Sequence, residues 1–268
     1  MSLRIQNNIA AFDAERNLTQ TSNRLQQSMA RLSSGYRINS AADDAAGLAI
    51  SEKLRAQIGG LAQATSNAQD GISLVQTAEG SLNEVHAMLQ RVRDLAVQYQ
   101  NGTLSTEDRT AIQSEVNQLG SEIERIGQSA AFNGISLLAN AGTITFQIGA
   151  NDGDTIGVAT VSLGSAVASS VFALSLTSSN GISQIDAAIN AVSSQRAVFG
   201  AVQNRLEHTI NNLSTYQENL TASESQIRDV DMASEMVEFT KDQILQQAGT
   251  SMLSQANQLP NSVLSLLR

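Results

Sequence analysis

The side chains best suited to chemistry are few in this sequence, and their spacing does not form a reaction centre. Among 268 residues there are two histidines, His86 and His208, and no cysteine. Neither histidine has Cys, His or Asp three or four residues away, as a metal pair on one helix requires. Absent cysteine excludes disulfides and thiolate chemistry. We interpret both histidines as packed or solvated and expect no metal and no cofactor.

The acidic residues also lack a catalytic arrangement. The stretch "NDGDT" at 151–155 has two acids around Gly153, but not the spacing or distal Glu of a calcium loop, so we predict a turn. Asp43 and Asp44 are adjacent and would point apart on a helix, so we interpret them as charges at a helix N-terminus. There is no Gly-x-Ser-x-Gly elbow and no phosphate-binding loop. We predict that the protein is not an enzyme.

The composition favours long helices and disfavours two classes of partner. Aromatic residues make up 3% of the chain, Trp is absent, and the single proline is Pro260. Such sequences suit thin helix-on-helix cores. The formal net charge of -9 argues against nucleic acid and against an anionic membrane surface as partners. The first residues lack a basic region followed by an apolar run, so no cleavable secretory signal is expected.

Apolar residues recur at helical spacing over most of the chain. They predict long helices at about 46–99, 105–129 and 182–228, the first roughly 80 Å long. In the first of these, the predicted stripe also carries polar residues at Thr65, Glu79, His86 and Arg93. The fold class we predict is mainly α, with long antiparallel helical rods forming a bundle.

The middle of the chain has a different period. Apolar residues alternate with polar ones on either side of 151–153, which predicts one small β-hairpin within a region of about 141–180. The alternating residues are Ile144, Phe146, Ile148, Ile156 and Val158. The Ser/Ala/Val-rich part that runs towards residue 180 is either strand or loop.

The two ends of the chain have matching patterns and opposite charges. Residues 1–40 hold five Arg against two acids, and residues 229–268 hold five acids against Lys241 and Arg268. Leu18, Leu25 and Leu32 are seven residues apart, as in a coiled coil. After Leu32, the stretch "SSGYRINSAADDAAG" predicts a loop in which Ser40 would cap the next helix. We therefore predict paired terminal helices whose surplus apolar surface faces other copies of the chain.

Long stretches at both ends resemble the bacterial flagellin family. The N-terminal block runs from "MSLRIQNNIAAFDAERN" to "ISEKLRAQIGG" and continues in "QDGISLVQTAEGSLNEVHAMLQRVRDLAVQ". "AFNGISLL" and the closing "ILQQAGTSMLSQANQLPNSVLSLLR" are similar to the family as well. The similarity covers roughly 1–140 and 182–268. The chain looks like a short form that lacks the large outer domains of other members.

The resemblance implies a division of the chain into two parts. Residues 1–44 with 229–268 would form an inner filament-core domain and spoke, and residues 45–228 an outer rod domain. The ends would order on polymerisation. The residues implied in self-assembly are Leu3, Ile5, Ile9, Phe12, Leu18, Leu25, Leu32, Val237, Ile244, Leu253, Leu259, Val263, Leu264, Leu266 and Leu267.

The resemblance also implies function and partners. The chain would be a structural subunit that polymerises into the bacterial flagellar filament, which is the propeller for swimming. It would be secreted to the extracellular flagellum by the flagellar export apparatus, with a chaperone on the C-terminal helix. Filament cap and junction proteins would be further partners. The vertebrate Toll-like receptor 5 would contact Arg91, Leu95 and Glu115. The alternative is that Arg91 and Glu115 are solvated or paired and that Leu95 contacts an adjacent subunit.

Two other functions remain open from the sequence. A hook–filament junction protein shares the helical architecture but should not grow long filaments. A secreted coiled-coil adhesin or effector would instead be a robust monomer with folded ends. Electron microscopy of the purified protein would separate these three readings.

Overall fold

Five long helices account for most of the chain. The computed structural model describes the backbone of residues 8–163 and 181–266 and the side chains of 8–163 and 181–258. Over these ranges the helices are α1 (Ile9–Ser34), α2 (Ala45–Tyr99), α3 (Thr106–Ser129), α4 (Gly181–Arg228) and α5 (Met232–Leu266). The strands are β1 (Ala131–Phe132), β2 (Ile135–Ser136), β3 (Gly142–Gln147) and β4 (Thr155–Thr160). The mainly α class is confirmed, and the three predicted long helices match within one residue at each end.

The contacts divide the chain into two units. The terminal unit takes in the chain up to Ala56 and again from Asn219, and the outer unit runs from Gln57 to Glu218. Both boundaries fall inside continuous helices, α2 and α4, and not at the turns near residues 44 and 229 that the sequence suggested. The apolar periodicity of a helix does not change where the helix leaves one set of packing neighbours and meets another. The sequence therefore could not locate the unit boundaries within α2 and α4.

The core of the outer unit follows a heptad along α2. Successive core residues are three or four apart, as in a coiled coil. They are Leu61, Ala64, Ala68, Gly71, Val75, Ala78, Leu82, Val85, Leu89, Val92 and Ala96. The prediction that Thr65, Glu79, His86 and Arg93 lie on this stripe is wrong by one residue. The small and β-branched residues just before them are buried, which lets Glu79 and Arg93 reach Arg196 and Asp186 at the surface.

Helices α3 and α4 complete this core. Phe199 and Leu206 of α4 are fully buried among α2 residues such as Leu82. Helix α3 starts with a capping box, in which the Ser105 hydroxyl accepts from the Asp108 N–H and the Asp108 carboxylate accepts from the Ser105 N–H. This pairing satisfies two N–H groups that have no partner within the helix.

Two antiparallel hairpins follow α3, where one was predicted. β3 and β4 pair from Gly142–Thr160 to Gln147–Thr155, which confirms the predicted hairpin, and Ile156 and Val158 are buried. The additional hairpin joins β1 to β2 through Asn133 and Gly134, whose φ angles are 49° and 78°. Positive φ at both turn residues is the pattern of a tight two-residue hairpin. In the sequence, Asn133-Gly134 is a turn signal, but strands of two residues leave no alternation to detect. The predicted region from residue 164 to 180 lies outside the described residues.

A loop of the terminal unit connects α1 to α2. Gly35 ends α1 in the left-handed conformation, and Tyr36 bridges to Asp229. The Asp43 carboxylate accepts from the Ser40 N–H and hydroxyl and from the Gln27 amide, and these hydrogen bonds lower the pKa of Asp43. Asp44, and not Ser40, caps α2 by accepting from the Gly47 N–H. The two acids therefore have separate structural roles.

Candidate functional site

The terminal helices α1 and α5 run antiparallel and contact each other along their length. Asn8 Nδ2 donates to the Ala256 carbonyl at 2.8 Å, and Arg31 lies 3.7 Å from Glu235 at the other end. Between these two contacts, Leu18 packs against Gly249. A Cβ atom added to Gly249 would lie 3.2 Å from Leu18 Cδ1. The predicted pairing of the two ends is thus observed. Only one ion pair joins α1 to α5 among the described side chains, so apolar and steric fit must set the register.

The contact between these helices, which we call the terminal seam, combines apolar residues with small and polar ones. Its members recur at steps of three and four residues, the spacing of a coiled coil. On α1 they are Ala11, Ala14, Leu18, Thr21, Leu25, Ser28 and Leu32, and on α5 they are Glu235, Phe239, Asp242, Gln246, Gly249, Leu253 and Ala256. Four of the seven on α5 are polar or Gly, so little apolar area is buried there and the pair is weak on its own.

Asp242 is the least favourable member of the terminal seam. It is 2% exposed, and its Oδ1 has no hydrogen-bond partner among the described residues. A buried polar group without a partner typically costs about 1–3 kcal/mol, and a charged one costs more. A polar residue at such a position also disfavours other registers, in which it would meet larger apolar residues.

Replacing Asp242 with an apolar residue should stabilise the helix pair. We expect Asp242→Leu to raise amide protection in α1 and α5 of the monomer by about tenfold or more, because the desolvation cost disappears. Hydrogen exchange followed by mass spectrometry measures this. The exposed neighbour substitution Gln243→Leu is the control and should leave protection unchanged. Equal or lower protection in Asp242→Leu would show that the carboxylate does not weaken the pair.

The same two helices also expose large apolar side chains to solvent. Phe12, Val237 and Ile244 are 65–66% exposed, and Ile9 is 55% exposed. Further exposed apolar residues of these helices are Met29, Met232, Met236, Leu245 and Met252. We call these nine residues the outer apolar surface. A large apolar surface of this kind on a soluble protein marks an interaction site.

The structure separates the predicted self-assembly residues into two groups. Leu18, Leu25, Leu32 and Leu253 face the terminal seam, whereas Ile9, Phe12, Val237 and Ile244 belong to the outer apolar surface. Leu3, Ile5 and Leu267 lie outside the described residues. For Leu259, Val263, Leu264 and Leu266 only the helical backbone is described. The exposed methionines were not among the predicted site residues, although plotting α5 as a helix shows apolar groups on every face.

The candidate receptor residues are not all at the surface. Arg91 and Glu115 form an exposed ion pair with a distance of 2.8 Å between Nη2 and Oε1. Leu95 is four residues from Arg91 on the same helix. Its side chain, however, is 2% exposed and packs with Ile112 and Ile185. The expectation that Leu95 contacts a receptor directly therefore needs correcting, because its side chain is buried although it lies on the same side of the helix as Arg91.

The remaining chemical groups have ordinary surroundings. The Gln90 side-chain amide Nε2 donates to His86 Nε2 at 3.0 Å. His208 lies with Arg205 and Asp154 along an open groove of about 740 Å³ beside the β3–β4 turn. Across the described side chains, no three of the His, Asp or Glu residues form a group suited to a metal ion. None of the described helices is long and apolar enough to cross a membrane.

Apolar side chains exposed on two paired helices, with Asp242 buried between them, define a structural subunit that associates through its termini. Family comparisons identify which one. Residues 5–143 match the bacterial flagellin N-terminal helical region and residues 182–267 the bacterial flagellin C-terminal helical region. The chain belongs to the bacterial flagellin family.

Relatives span the whole chain. A flagellin of Halalkalibacterium halodurans is 52% identical over 98% of this chain and 99% of its own length. A flagellin of Bacillus subtilis is 49% identical over 99% of this chain and all of its own length. The crystal structure of Bacillus cereus flagellin superposes with a TM-score of 0.50 at 32% identity, over 59% of this chain and 94% of that one.

Proposed function

We propose that this protein is a structural subunit that polymerises into the extracellular bacterial flagellar filament. The observation that carries the proposal is the exposure of large apolar side chains on the terminal helices. Their seam holds polar groups such as Asp242, while Phe12, Val237 and Ile244 face solvent. Burying one such apolar side chain contributes about 1.5–3 kcal/mol, so several together offset the ordering of the ends. The membership of the flagellin family supports the same function.

The division of labour follows from the two units. We assign self-association to residues 1–44 with 229–268, which lie within the terminal unit, and a supporting outer role to 45–228, which contains the outer unit and its hydrophobic core. The outer apolar surface on α5 is also suited to hold a chaperone before export, because it would otherwise stick to other copies. The export apparatus, cap and junction proteins are the further partners we propose.

Filament formation is directly testable. Purified subunits should form long fibres of uniform diameter, seen by negative-stain electron microscopy, above a defined critical concentration. A hook–filament junction protein would give short oligomers. An adhesin or effector would remain monomeric, with α1 and α5 already protected from hydrogen exchange. Either result would refute the proposal.

A second candidate function is recognition by Toll-like receptor 5, and the exposed Arg91–Glu115 pair favours it. Both side chains are about half exposed and project from neighbouring helices, α2 and α3. In this proposal Leu95 supports the surface from below, through its packing in the core.

The receptor proposal has a matched control within the chain. We expect Arg91→Ala with Glu115→Ala to weaken binding of the receptor ectodomain at least about tenfold, because central charged anchors at an interface dominate its affinity. Arg125 and Glu122 form a similarly exposed pair on α3, at 2.6 Å, and their double alanine variant should bind normally. Surface plasmon resonance on monomers measures both. Equal effects of the two variants would argue against a specific site.

A further inference from the structure

The methionines of this chain are concentrated on its terminal helices and are unusually exposed. Of six methionines, Met29, Met232, Met236 and Met252 are 46–63% exposed and all lie on α1 or α5. Met88, by contrast, is half-buried against the core of the outer unit. Methionine suits a surface that is to be buried later, because its flexible thioether fits irregular partners. The same exposure leaves four sulfur atoms open to solvent in the unassembled chain.

We propose that these four methionines form an oxidation-sensitive site that controls whether a subunit can join a polymer. The reactant is a peroxide, of which hydrogen peroxide is the simplest. The thioether sulfur attacks one peroxide oxygen, the O–O bond breaks, and the products are a methionine sulfoxide and water. The sulfur is oxidised and the peroxide reduced, so no other reactant is needed. The change is reversible by methionine sulfoxide reductases.

The effect on assembly follows from the polarity of the product. A sulfoxide carries a strong acceptor oxygen that is hydrated in the free subunit. Burying it against apolar side chains of another copy removes that hydration without supplying a donor. Assembly should also cover the sulfur atoms, so subunits already in a filament are protected. Oxidation would therefore prevent free subunits from joining a polymer while leaving existing filaments intact. This inference rests on the proposed polymerisation, in which α1 and α5 are covered.

The test compares wild-type protein before and after dilute hydrogen peroxide. Peptide mapping by mass spectrometry should show one added oxygen on each of the four methionines in monomers and far less in preformed filaments. Sedimentation should show a critical concentration at least about tenfold higher for oxidised monomers. Treatment with methionine sulfoxide reductases should restore the original value. Unchanged polymerisation of fully oxidised monomers would overturn the inference and leave the filament function standing.

A variant separates this site from other oxidation damage. The fourfold change Met29→Leu, Met232→Leu, Met236→Leu and Met252→Leu keeps Met88 and should polymerise equally well with and without peroxide. Loss of polymerisation on peroxide treatment of this variant would overturn the inference. If the variant does not assemble at all, partly oxidised wild-type protein is polymerised and its soluble and filament fractions are mapped. Sulfoxide at the four positions should be enriched in the soluble fraction and depleted in filaments. Equal distribution would overturn the inference. Failure of untreated wild type to polymerise would instead refute the proposed function.

Discussion

Placing carboxylates on the outward face of α5 should abolish polymerisation while leaving the subunit folded. We expect Val237→Asp with Ile244→Asp to raise the critical concentration at least about 100-fold. Each apolar side chain lost from an interface removes about 1.5–3 kcal/mol, and a factor of ten corresponds to about 1.4 kcal/mol. Burial of the new charges adds to this loss. Sedimentation and electron microscopy measure the polymer.

The subunit itself should tolerate these changes because both residues are about two-thirds exposed and seven positions apart on one face. Circular dichroism should therefore show the same helix content and melting temperature as wild type. The conservative change Val237→Leu with Ile244→Leu keeps the face apolar and should polymerise normally. If the aspartate variant formed filaments at the wild-type critical concentration, this face of α5 would not be buried in the polymer.

Removing the largest side chain that is fully buried among the described residues of the outer unit should strongly destabilise this unit. Phe199 is 1% exposed in the core that α4 shares with α2. We expect Phe199→Ala to cost about 3–5 kcal/mol, the usual loss for a buried phenylalanine. For a unit of this size that corresponds to a fall in melting temperature of roughly 6–20 °C. Thermal and urea unfolding, followed by circular dichroism, measure the change.

The neighbouring Val198 provides the control, since it is 41% exposed on the same helix. Val198→Ala should change stability by no more than about 0.5 kcal/mol. Similar losses for both variants would mean that the burial pattern of α4 is offset by one residue. Phe199 does not lie in the terminal unit. Polymerisation of Phe199→Ala should therefore weaken only in proportion to the fraction of subunits whose outer unit is unfolded.

The helices were predictable because their periodicity is a local property. The apolar spacing on α2, α3 and α4 placed their ends within one residue, and the β3–β4 hairpin followed from strict alternation. What failed was the choice between adjacent residues on α2, where Ala78 and Val85, and not Glu79 and His86, face the core. Two faces of a long helix can both look partly apolar, and only the neighbouring helices decide between them.

The candidate site was only half predictable for a related reason. Every apolar residue at the ends was expected to help association, but the sequence could not distinguish Leu25, which faces α5, from Phe12, which faces solvent. Asp242 was counted only as part of the acidic end, because a heptad with a polar member does not stand out as a seam. Leu95 shows the same limit, since residues four apart share a side of a helix without sharing exposure.

The exposed apolar side chains of the terminal helices link folding to concentration. Helices that gain most of their burial from other copies obey mass action, so their ordering depends on how many subunits are nearby. Dilute subunits should keep a stable outer unit while α1 and α5 open and close, and the melting transition of those two helices alone should rise as the solution becomes more concentrated. A cell that holds this protein at low free concentration would thus keep it assembly-competent without keeping it assembled.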